Sequence, residues 1–161
     1  MYEILIVGGG PAGLTAAIYA ARAGKHVAVL ERGSTGGQII SAPLVENYPG
    51  IPSVSGTELA RQMTEQACTF GAEIVYTEAV GLDKTPAGFR VSCTDGVREA
   101  KTVILATGAA HRRLDLPWET TLTGCGVSYC AVCDGAFYEG LDVAVVGGGD
   151  TAVQDALLLA N

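Results

Sequence analysis

The first third of the chain alternates between short apolar runs and a glycine-rich turn, in the order expected of a strand–helix–strand unit. Residues 3–7 are mostly Ile, Leu and Val, which predicts a strand buried on both faces. Residues 11–23 are rich in alanine and predict a helix that ends before Gly24. Residues 26–31 predict a second buried strand. The whole unit has the length of about 30 residues that such a motif needs.

The pattern changes over residues 33–55, which are rich in Gly, Ser and Pro and carry little periodicity. Ordered loops of this length are usually functional. Ser55 and Glu58 match a capping box and predict the start of a helix. The helical spacing that follows predicts that Met63 and Phe70 face the core.

The next segment reads as strands. Residues 73–84 alternate weakly and predict one strand, and residues 89–93 and 97–101 flank a hairpin turn at Asp95 and Gly96. Residues 103–106 predict a further buried strand. The fold predicted to this point is therefore α/β, with further strands after the strand–helix–strand unit.

A polar stretch with prolines, residues 109–117, predicts a crossover to a second domain. Beyond it, residues 141–146 predict a buried strand, followed by three glycines and a helix to residue 160. The opening strand–glycine–helix pattern is thus repeated near the end of the sequence. We expect the apolar face of this last helix to be left uncovered by residues 1–161.

Composition narrows the classes of protein that fit. The 161 residues are 48% hydrophobic, which argues against intrinsic disorder. Ten Lys and Arg against 17 Asp and Glu give a net charge of −7, so no basic excess is available for binding nucleic acid. Residues 4–21 are uncharged and long enough to cross a bilayer, but the glycines and proline at their centre favour strand, turn and helix. We expect no membrane span and, without a basic N-terminal signal, a cytoplasmic protein.

The first candidate site is the motif Gly8-x-Gly10-x-x-Gly13 between strand and helix. Its glycines permit a tight turn, close approach of a pyrophosphate to the backbone, and close packing of helix on strand. Glu31, at the end of the next strand, is placed to accept hydrogen bonds from ribose hydroxyls. Dinucleotide binding is the prediction, and a purely structural glycine turn is the alternative. A second such motif comprises Gly147, Gly149 and Ala152, and its next strand would follow residue 161.

The second candidate site is the cysteine pair Cys130 and Cys133, followed by Asp134. A pair at this spacing supplies a thiolate and a resolving thiol for disulfide exchange, and the carboxyl group can carry a proton. Two alternatives remain open: ordinary free cysteines, or half of a zinc site completed by other ligands. The two further ligands that such a site needs would come from among Cys68, Cys93, Cys125 and His111. We expect no metal, with Cys68 and Cys93 in the core, both histidines on the surface and Trp118 as a packing anchor.

These motifs together are similar to those of a known family. Residues 126–135, Gly-Val-Ser-Tyr-Cys-Ala-Val-Cys-Asp-Gly, closely resemble the redox-active segment of the low-molecular-weight thioredoxin reductases. Two residues depart from the family pattern, because Cys125 stands where a basic residue is common and Trp118 where a small residue is usual. Five further segments resemble other family motifs in the same order: residues 8–13, 36–38, 46–50, 106–109 and 147–152.

The resemblance implies a flavoenzyme with FAD and NADPH as cofactors. Its fold would be a Rossmann-like FAD-binding domain with a β-meander over residues 1–112, then the start of a second Rossmann-like, NAD(P)-binding domain over residues 113–161. It places these residues at the FAD: Gly8, Gly10, Pro11, Ala12, Gly13, Glu31, Gly36, Gly37, Gln38, Asn47, Thr107, Gly108 and Ala109. It places these at the NADPH: Gly147, Gly149, Asp150, Thr151 and Ala152.

The resemblance also implies a reaction. Electrons would pass from NADPH to FAD, then to Cys133, which meets the flavin, and Cys130 would attack the disulfide of thioredoxin or a similar dithiol protein, with Asp134 as the acid. A homodimer is expected for the complete protein. The chain has about half of the family's usual length, so we expect residues 1–161 alone to be inactive with NADPH. The alternatives are a flavoprotein that reduces another dithiol protein, such as a peroxiredoxin system, or a non-catalytic FAD- or zinc-binding module.

Overall fold

The computed structural model describes residues 1–160, and the chain divides into two compact units. The sheet unit comprises residues 1–44 and 54–109. The cysteine unit comprises residues 45–53 and the chain from residue 110 onward.

The sheet unit is a six-stranded mixed sheet in the order β3-β2-β1-β6-β5-β4. β1 is flanked by β2 and β6, both parallel to it, and β3 runs parallel to β2, whereas β4, β5 and β6 form an antiparallel meander. This confirms the predicted Rossmann-like α/β fold with a β-meander. The elements are β1 (Tyr2–Val7), α1 (Pro11–Arg22), β2 (Val27–Glu31), α2 (Gly56–Thr69), β3 (Glu73–Tyr76), β4 (Ala79–Thr85), β5 (Gly88–Cys93) and β6 (Gly96–Leu105).

The parallel strands are covered on both faces, as their continuous apolar runs predict. On one face, Ile6 and Val29 pack with residues of α1 and α2, among them Ile18 and Ala67. On the other face, Leu5, Ala28 and Leu30 pack with apolar side chains of the meander. Because successive residues of a strand point to opposite sides, neighbours such as Leu5 and Ile6 are both fully buried, in different layers.

Two strand boundaries differ from the prediction. The strand predicted over residues 73–84 is interrupted at Thr77, which donates hydrogen bonds from its N–H to the Glu31 carbonyl at 2.9 Å and from its hydroxyl to Asp95 at 2.5 Å. The strands predicted over 97–101 and 103–106 are a single strand, β6, which pairs first with β5 and then with β1. Both strand boundaries depend on which strands pair with each other, and the hydrophobic periodicity of the sequence carries no information about that pairing.

Helix α2 begins where the capping box predicts, since the Ser55 hydroxyl accepts the Glu58 N–H at 3.2 Å. Met63 is buried as predicted. Phe70, in contrast, is 41% exposed, because it follows the last turn of the helix. The Arg22 guanidinium lies over its ring, 5.5 Å from the centroid. Cys93 is buried, whereas Cys68 is exposed. Cys68 directly follows the buried Ala67 on α2 and so lies on the outer side of the helix.

The cysteine unit contains three helices, α3 (Glu119–Leu122), α4 (Ala131–Asp134) and α5 (Asp150–Leu159), and a 3₁₀ turn over Gly135–Tyr138. The helix predicted near the end of the chain is confirmed. The buried strand predicted over residues 141–146 is wrong: these residues are exposed, and none of the strands within residues 1–160 pairs with them. An apolar run becomes a strand only when another strand takes up its backbone hydrogen bonds.

Two further expectations concern single segments. Trp118 is 74% exposed and has a left-handed backbone conformation, so it is not a packing anchor. The uncharged stretch over residues 4–21 is divided between β1, a turn and α1. Over the 160 residues that the structure describes, no helix is long and apolar enough to cross a membrane.

Candidate functional site

The glycine turn between β1 and α1 is held by two glycines that the fold itself requires. Gly8 has a φ of 107°, and a Cβ added to it would lie 2.2 Å from the Ala106 carbonyl oxygen. A Cβ added to Gly13 would lie 1.9 Å from the Gly8 carbonyl oxygen. Neither position accepts a side chain without movement of the backbone, so β1, β6 and α1 meet here at the closest approach the chain allows.

Gly10 differs from these two glycines, because the fold leaves space beside it. The nearest atom to an added Cβ is the Cα of Gly37 at 3.9 Å, and Gly37 is itself a glycine with a φ of 56°. Two bare backbone segments therefore face each other at the start of α1. The helix has Gly10 as its N-cap, no side-chain cap and no acidic residue in its first turn. Its first N–H groups have no partner within the helix, and together with the helix dipole they suit a phosphate.

Glu31 lies at the end of β2 and ties the glycine turn to the next loop. Its Oε2 accepts the Gly9 N–H at 2.8 Å and its Oε1 accepts the Gly33 N–H at 2.9 Å. Each carboxylate oxygen can accept more than one hydrogen bond, so capacity remains for ribose hydroxyls. Gly9 was missed as a site residue: an added Cβ would lie 3.0 Å from Glu31 Oε2. The run of three consecutive glycines at this turn was the available signal.

The loop that follows β2 contacts the same glycine turn. The Gly36 N–H donates to the Gly9 carbonyl at 2.7 Å, and the Gln38 side-chain amide donates to the Ala109 carbonyl. The 3₁₀ turn Gly37–Ser41 abuts the start of α2, where a Cβ on Gly56 would lie 1.7 Å from the Ile39 carbonyl oxygen. The structure thus gathers these predicted residues around the start of α1: Gly8, Gly10, Pro11, Ala12, Gly13, Glu31, Gly36, Gly37, Gln38, Thr107, Gly108 and Ala109. Asn47 belongs to the cysteine unit.

Cys130 and Cys133 form a disulfide, with their Cα atoms 5.3 Å apart. Cys130 is the N-cap of α4, and its Sγ accepts the Cys133 N–H at 3.2 Å. A sulfur in a disulfide is not a thiolate ligand for a metal. Among the residues that the structure describes, no group of three or more His, Cys, Asp or Glu side chains is close enough to hold a metal ion.

Asp134 is linked to the cysteine pair through Ser128. The Ser128 hydroxyl donates to Asp134 Oδ2 at 2.5 Å and accepts the Cys130 N–H at 3.1 Å. Ser128 was missed as a site residue, although it lies within the segment that carries the family resemblance. Cys125 is an exposed free cysteine, and its Sγ lies 3.6 Å from the Thr121 carbonyl oxygen.

The second glycine motif lies at the start of α5, and its predicted residues are adjacent there. Gly147 has a φ of 142°, and an added Cβ would lie 3.0 Å from the Ala152 Cβ. Gly149 is the N-cap of α5 and has open space around it, while Asp150 and Thr151 form its first turn. This motif repeats the arrangement at α1: one glycine is constrained by close packing and another has room beside it.

A mixed α/β sheet with four adjacent parallel strands, a glycine turn at a helix N-terminus and a disulfide between cysteines three residues apart are typical of a class of nucleotide-binding disulfide proteins. The family model described as pyridine nucleotide-disulphide oxidoreductase matches residues 2–161. The chain belongs to this family.

Within this family, the chain is similar to proteins named thioredoxin reductase. The chain is 45% identical to a thioredoxin reductase of Treponema pallidum (strain Nichols) over 99% of its own length and 52% of that protein. It is 44% identical to a thioredoxin reductase of Bacillus subtilis (strain 168), over 100% of its length and 51% of that protein. The crystal structure of thioredoxin reductase from Streptococcus pyogenes MGAS5005 matches with a TM-score of 0.95 and 49% identity, over 99% of this chain and 52% of that chain. The chain therefore spans about half the length of the curated relatives it matches.

Proposed function

We propose that this chain supplies the FAD-binding part, residues 1–112, and the beginning of the NADPH-binding part, residues 113–161, of a thioredoxin-disulfide reductase. The observation that carries the proposal is the disulfide between Cys130 and Cys133, in a chain 45% identical to a protein named thioredoxin reductase. The residues of the second glycine motif, Gly147, Gly149, Asp150, Thr151 and Ala152, are proposed to begin the NADPH site.

The glycine turn fits the pyrophosphate of FAD. Gly10 and Gly37 present backbone without side chains, so a phosphate can approach closely, and the first N–H groups of α1 can donate to it. Glu31 holds the turn through the Gly9 N–H and can accept ribose hydroxyls with its remaining lone pairs. Gln38 and residues 107–109, joined by the hydrogen bond to Ala109, would flank the same group. Asn47 is proposed to line the flavin. When bound, FAD would supply the two-electron chemistry that connects a nicotinamide to a disulfide.

The cysteine pair carries those electrons to the partner. Two electrons and two protons convert the disulfide of Cys130 and Cys133 into two thiols. The Cys130 thiolate then attacks one sulfur of the partner disulfide, giving a mixed disulfide and a partner thiolate, which takes a proton. Cys133, as thiolate, attacks the Cys130 sulfur, restores the internal disulfide and releases the partner as a dithiol. Asp134, held by Ser128, is proposed to supply a proton to a departing thiolate.

The proposed partner is thioredoxin or a similar dithiol protein, and the proposed setting is the cytoplasm, where thiols are kept reduced. The complete protein is proposed to be a homodimer. NADPH-dependent turnover is proposed for the complete gene product and not for residues 1–161 alone.

The decisive experiment uses Cys133→Ser in the complete gene product. We expect reduction of thioredoxin to fall to background, because no internal disulfide can form, while bound FAD and NADPH-dependent reduction of a dye persist. Cys125→Ser is the matched control, since it removes an exposed free thiol of the same unit and leaves the disulfide intact. Thioredoxin reduction by the Cys133→Ser variant would overturn the proposed relay. A wild-type protein that consumes NADPH only with another dithiol protein would change the proposed partner.

A further inference from the structure

A buried carboxylate lies close to the redox-active pair in the sequence and has no part in the chemistry proposed above. Glu119 is only 6% exposed, and within residues 1–160 it is the one charged side chain that is buried. Burying a charge is unfavourable unless hydrogen bonds replace the lost water. The hydrogen-bond donors to Glu119 therefore show which segments of the chain the buried carboxylate holds together.

Those donors come from two segments of the cysteine unit. The Leu114 N–H donates to Glu119 Oε1 at 3.1 Å and the Leu116 N–H donates to Oε2 at 3.2 Å. The hydroxyl of Tyr129 also donates to Oε1. Asp115 and Trp118 both have positive φ, at 57° and 70°, which costs free energy for residues other than glycine. The backbone on both sides of Leu116 is thus bent into an unfavourable conformation that lets it surround this carboxylate.

Tyr129 is held at two points. Its hydroxyl is bonded to Glu119, and its ring is stacked on the His111 ring, with 3.8 Å between centroids and 6° between planes. The hydrogen bond from Tyr129, followed by that from the Leu114 N–H, lowers the pKa of Glu119, and the same bond to Glu119 raises the pKa of Tyr129. The glutamate is therefore the ionised acceptor and the tyrosine the neutral donor, which strengthens the bond.

Tyr129 immediately precedes Cys130, so fixing its ring and hydroxyl also limits the backbone that leads into the disulfide. On the other side of Tyr129, Ser128 accepts the Cys130 N–H at 3.1 Å. The three residues 128–130 are thus anchored at each position: by Asp134, by Glu119 and His111, and by the disulfide.

We propose that Glu119 and Tyr129 are positioning residues, which hold Cys130 in the orientation that closes the disulfide with Cys133. The inference rests on the proposed function, because positioning matters only if this pair cycles between disulfide and dithiol. Neither residue transfers electrons or protons to the partner. They act by restricting the backbone of Cys130, which raises the effective concentration of one sulfur at the other.

The consequence concerns the equilibrium with a small dithiol. Reduced dithiothreitol and the protein disulfide exchange to give oxidised dithiothreitol and two protein thiols, with two electrons and two protons transferred. Loss of the Tyr129 hydroxyl frees the Cys130 backbone and disfavours the disulfide. Because a hydrogen bond to a charged group is a substantial interaction, we expect the equilibrium to shift toward the dithiol by about three- to tenfold.

The test measures this equilibrium in the complete gene product by acid quenching, alkylation and mass spectrometry of Cys130 and Cys133. The variants are Tyr129→Phe, which keeps the ring that stacks on His111, and Glu119→Gln, which keeps the shape but removes the charge. Tyr138→Phe is the matched control, since Tyr138 lies in the same unit, just past α4 in the 3₁₀ turn, and is not a donor to Glu119. The double variant tests whether the two residues act through one bond, in which case its shift equals that of a single variant.

A shift in Tyr129→Phe and Glu119→Gln, absent in Tyr138→Phe, supports the proposal. An unchanged equilibrium with a lowered melting temperature would overturn it, since Glu119 would then only stabilise the fold. If Glu119→Gln does not fold, Tyr129→Phe decides alone. NADPH-dependent reduction of thioredoxin by the wild type is measured separately. A shifted equilibrium without that turnover contradicts the proposed function only, and turnover with an unshifted equilibrium contradicts the positioning role only.

Discussion

The three glycines of the first motif are glycine for different physical reasons. Gly8 and Gly13 lie against backbone carbonyl oxygens, so the fold excludes a side chain at either position. Gly10 has room beside it and extended backbone angles, φ −74° and ψ −179°, which other residues adopt readily. The structure alone does not explain why residue 10 is glycine, whereas the proposed close approach of a phosphate would explain it.

We therefore expect Gly10→Val to weaken FAD binding more than folding in the complete gene product. Forcing a side chain into a close contact costs about 1–3 kcal/mol, which corresponds to roughly a five- to 150-fold loss of affinity. Bound flavin is measured by absorbance after titration with FAD, and folding by the thermal transition. Gly13→Ala is the contrasting variant, because its Cβ meets backbone at 1.9 Å and should lower the melting temperature strongly. Full flavin affinity in Gly10→Val would remove Gly10 from the site.

The buried carboxylate gives a pH-dependent prediction. Hydrogen bonds, first from Tyr129, lower the pKa of Glu119 from its ordinary value of 4.5. A lowered native pKa means that the stabilisation is fully present above that ordinary value and is lost as pH falls through the native pKa. Trp118, the only tryptophan, directly precedes Glu119 in the chain. Its fluorescence emission should therefore report local opening of this segment in acid.

In Glu119→Gln this acid-dependent step should be absent, and the difference in stability between the two proteins should shrink as the solution is acidified. An identical acid transition in wild type and variant would show that Glu119 does not govern the segment. The titration is followed from neutral pH to below 4.5, the ordinary value for glutamate.

At this scale, sequence reasoning succeeds where the local chain determines the outcome. The glycine motif, Glu31 at the end of β2 and the cysteine spacing are local patterns, and each lies where its pattern predicts. Glu119 and Tyr129 belong to no motif, and ten sequence positions separate them. Their bond depends on the course of the loop between them, so only the structure reveals it.

At the scale of elements, the start of α2 shows how far a local signal reaches. Ser55 and Glu58 are three positions apart, and the bond between them needs no other part of the molecule. Phe70, Cys68 and the break at Thr77 depend on which elements pack or pair beside them. For this reason the sequence pattern predicts the type of each element well, but predicts the exposure of single side chains and the limits of strands less well.

We expect Ser55→Ala to destabilise the sheet unit by about 1 kcal/mol, the usual cost of losing an N-cap side chain. Ser34→Ala is the matched control, since Ser34 is an exposed loop serine of the same unit. The free energy of unfolding is measured in urea by circular dichroism. Equal stabilities for the two variants would mean that the bond from the Glu58 N–H contributes nothing measurable.

At the scale of the whole molecule, the exposed segment over residues 141–146 has the composition of a buried strand. Leu141 and Val146, at its two ends, are 64% and 65% exposed. The chain spans about half the length of its curated relatives. An apolar segment that is exposed to solvent is prone to associate with another chain.

Residues 1–161, expressed alone, are therefore expected to self-associate and to bind a hydrophobic dye. Light scattering over a range of concentrations measures the association. The double variant Leu141→Ser/Val146→Ser should reduce both association and dye binding, whereas Val80→Ser, on exposed β4 of the sheet unit, should change them less. A monodisperse wild-type chain that binds no dye would contradict this prediction.

Strand β6 has a consequence for how the sheet unit opens. Its first half is bonded to β5 and its second half to β1, with Ala100 paired to both Phe89 and Tyr2. The meander cannot separate from the parallel strands unless this one continuous backbone breaks its ladder on one side. Amide protons along β1, β5 and β6 are therefore expected to exchange with solvent as one cooperative unit.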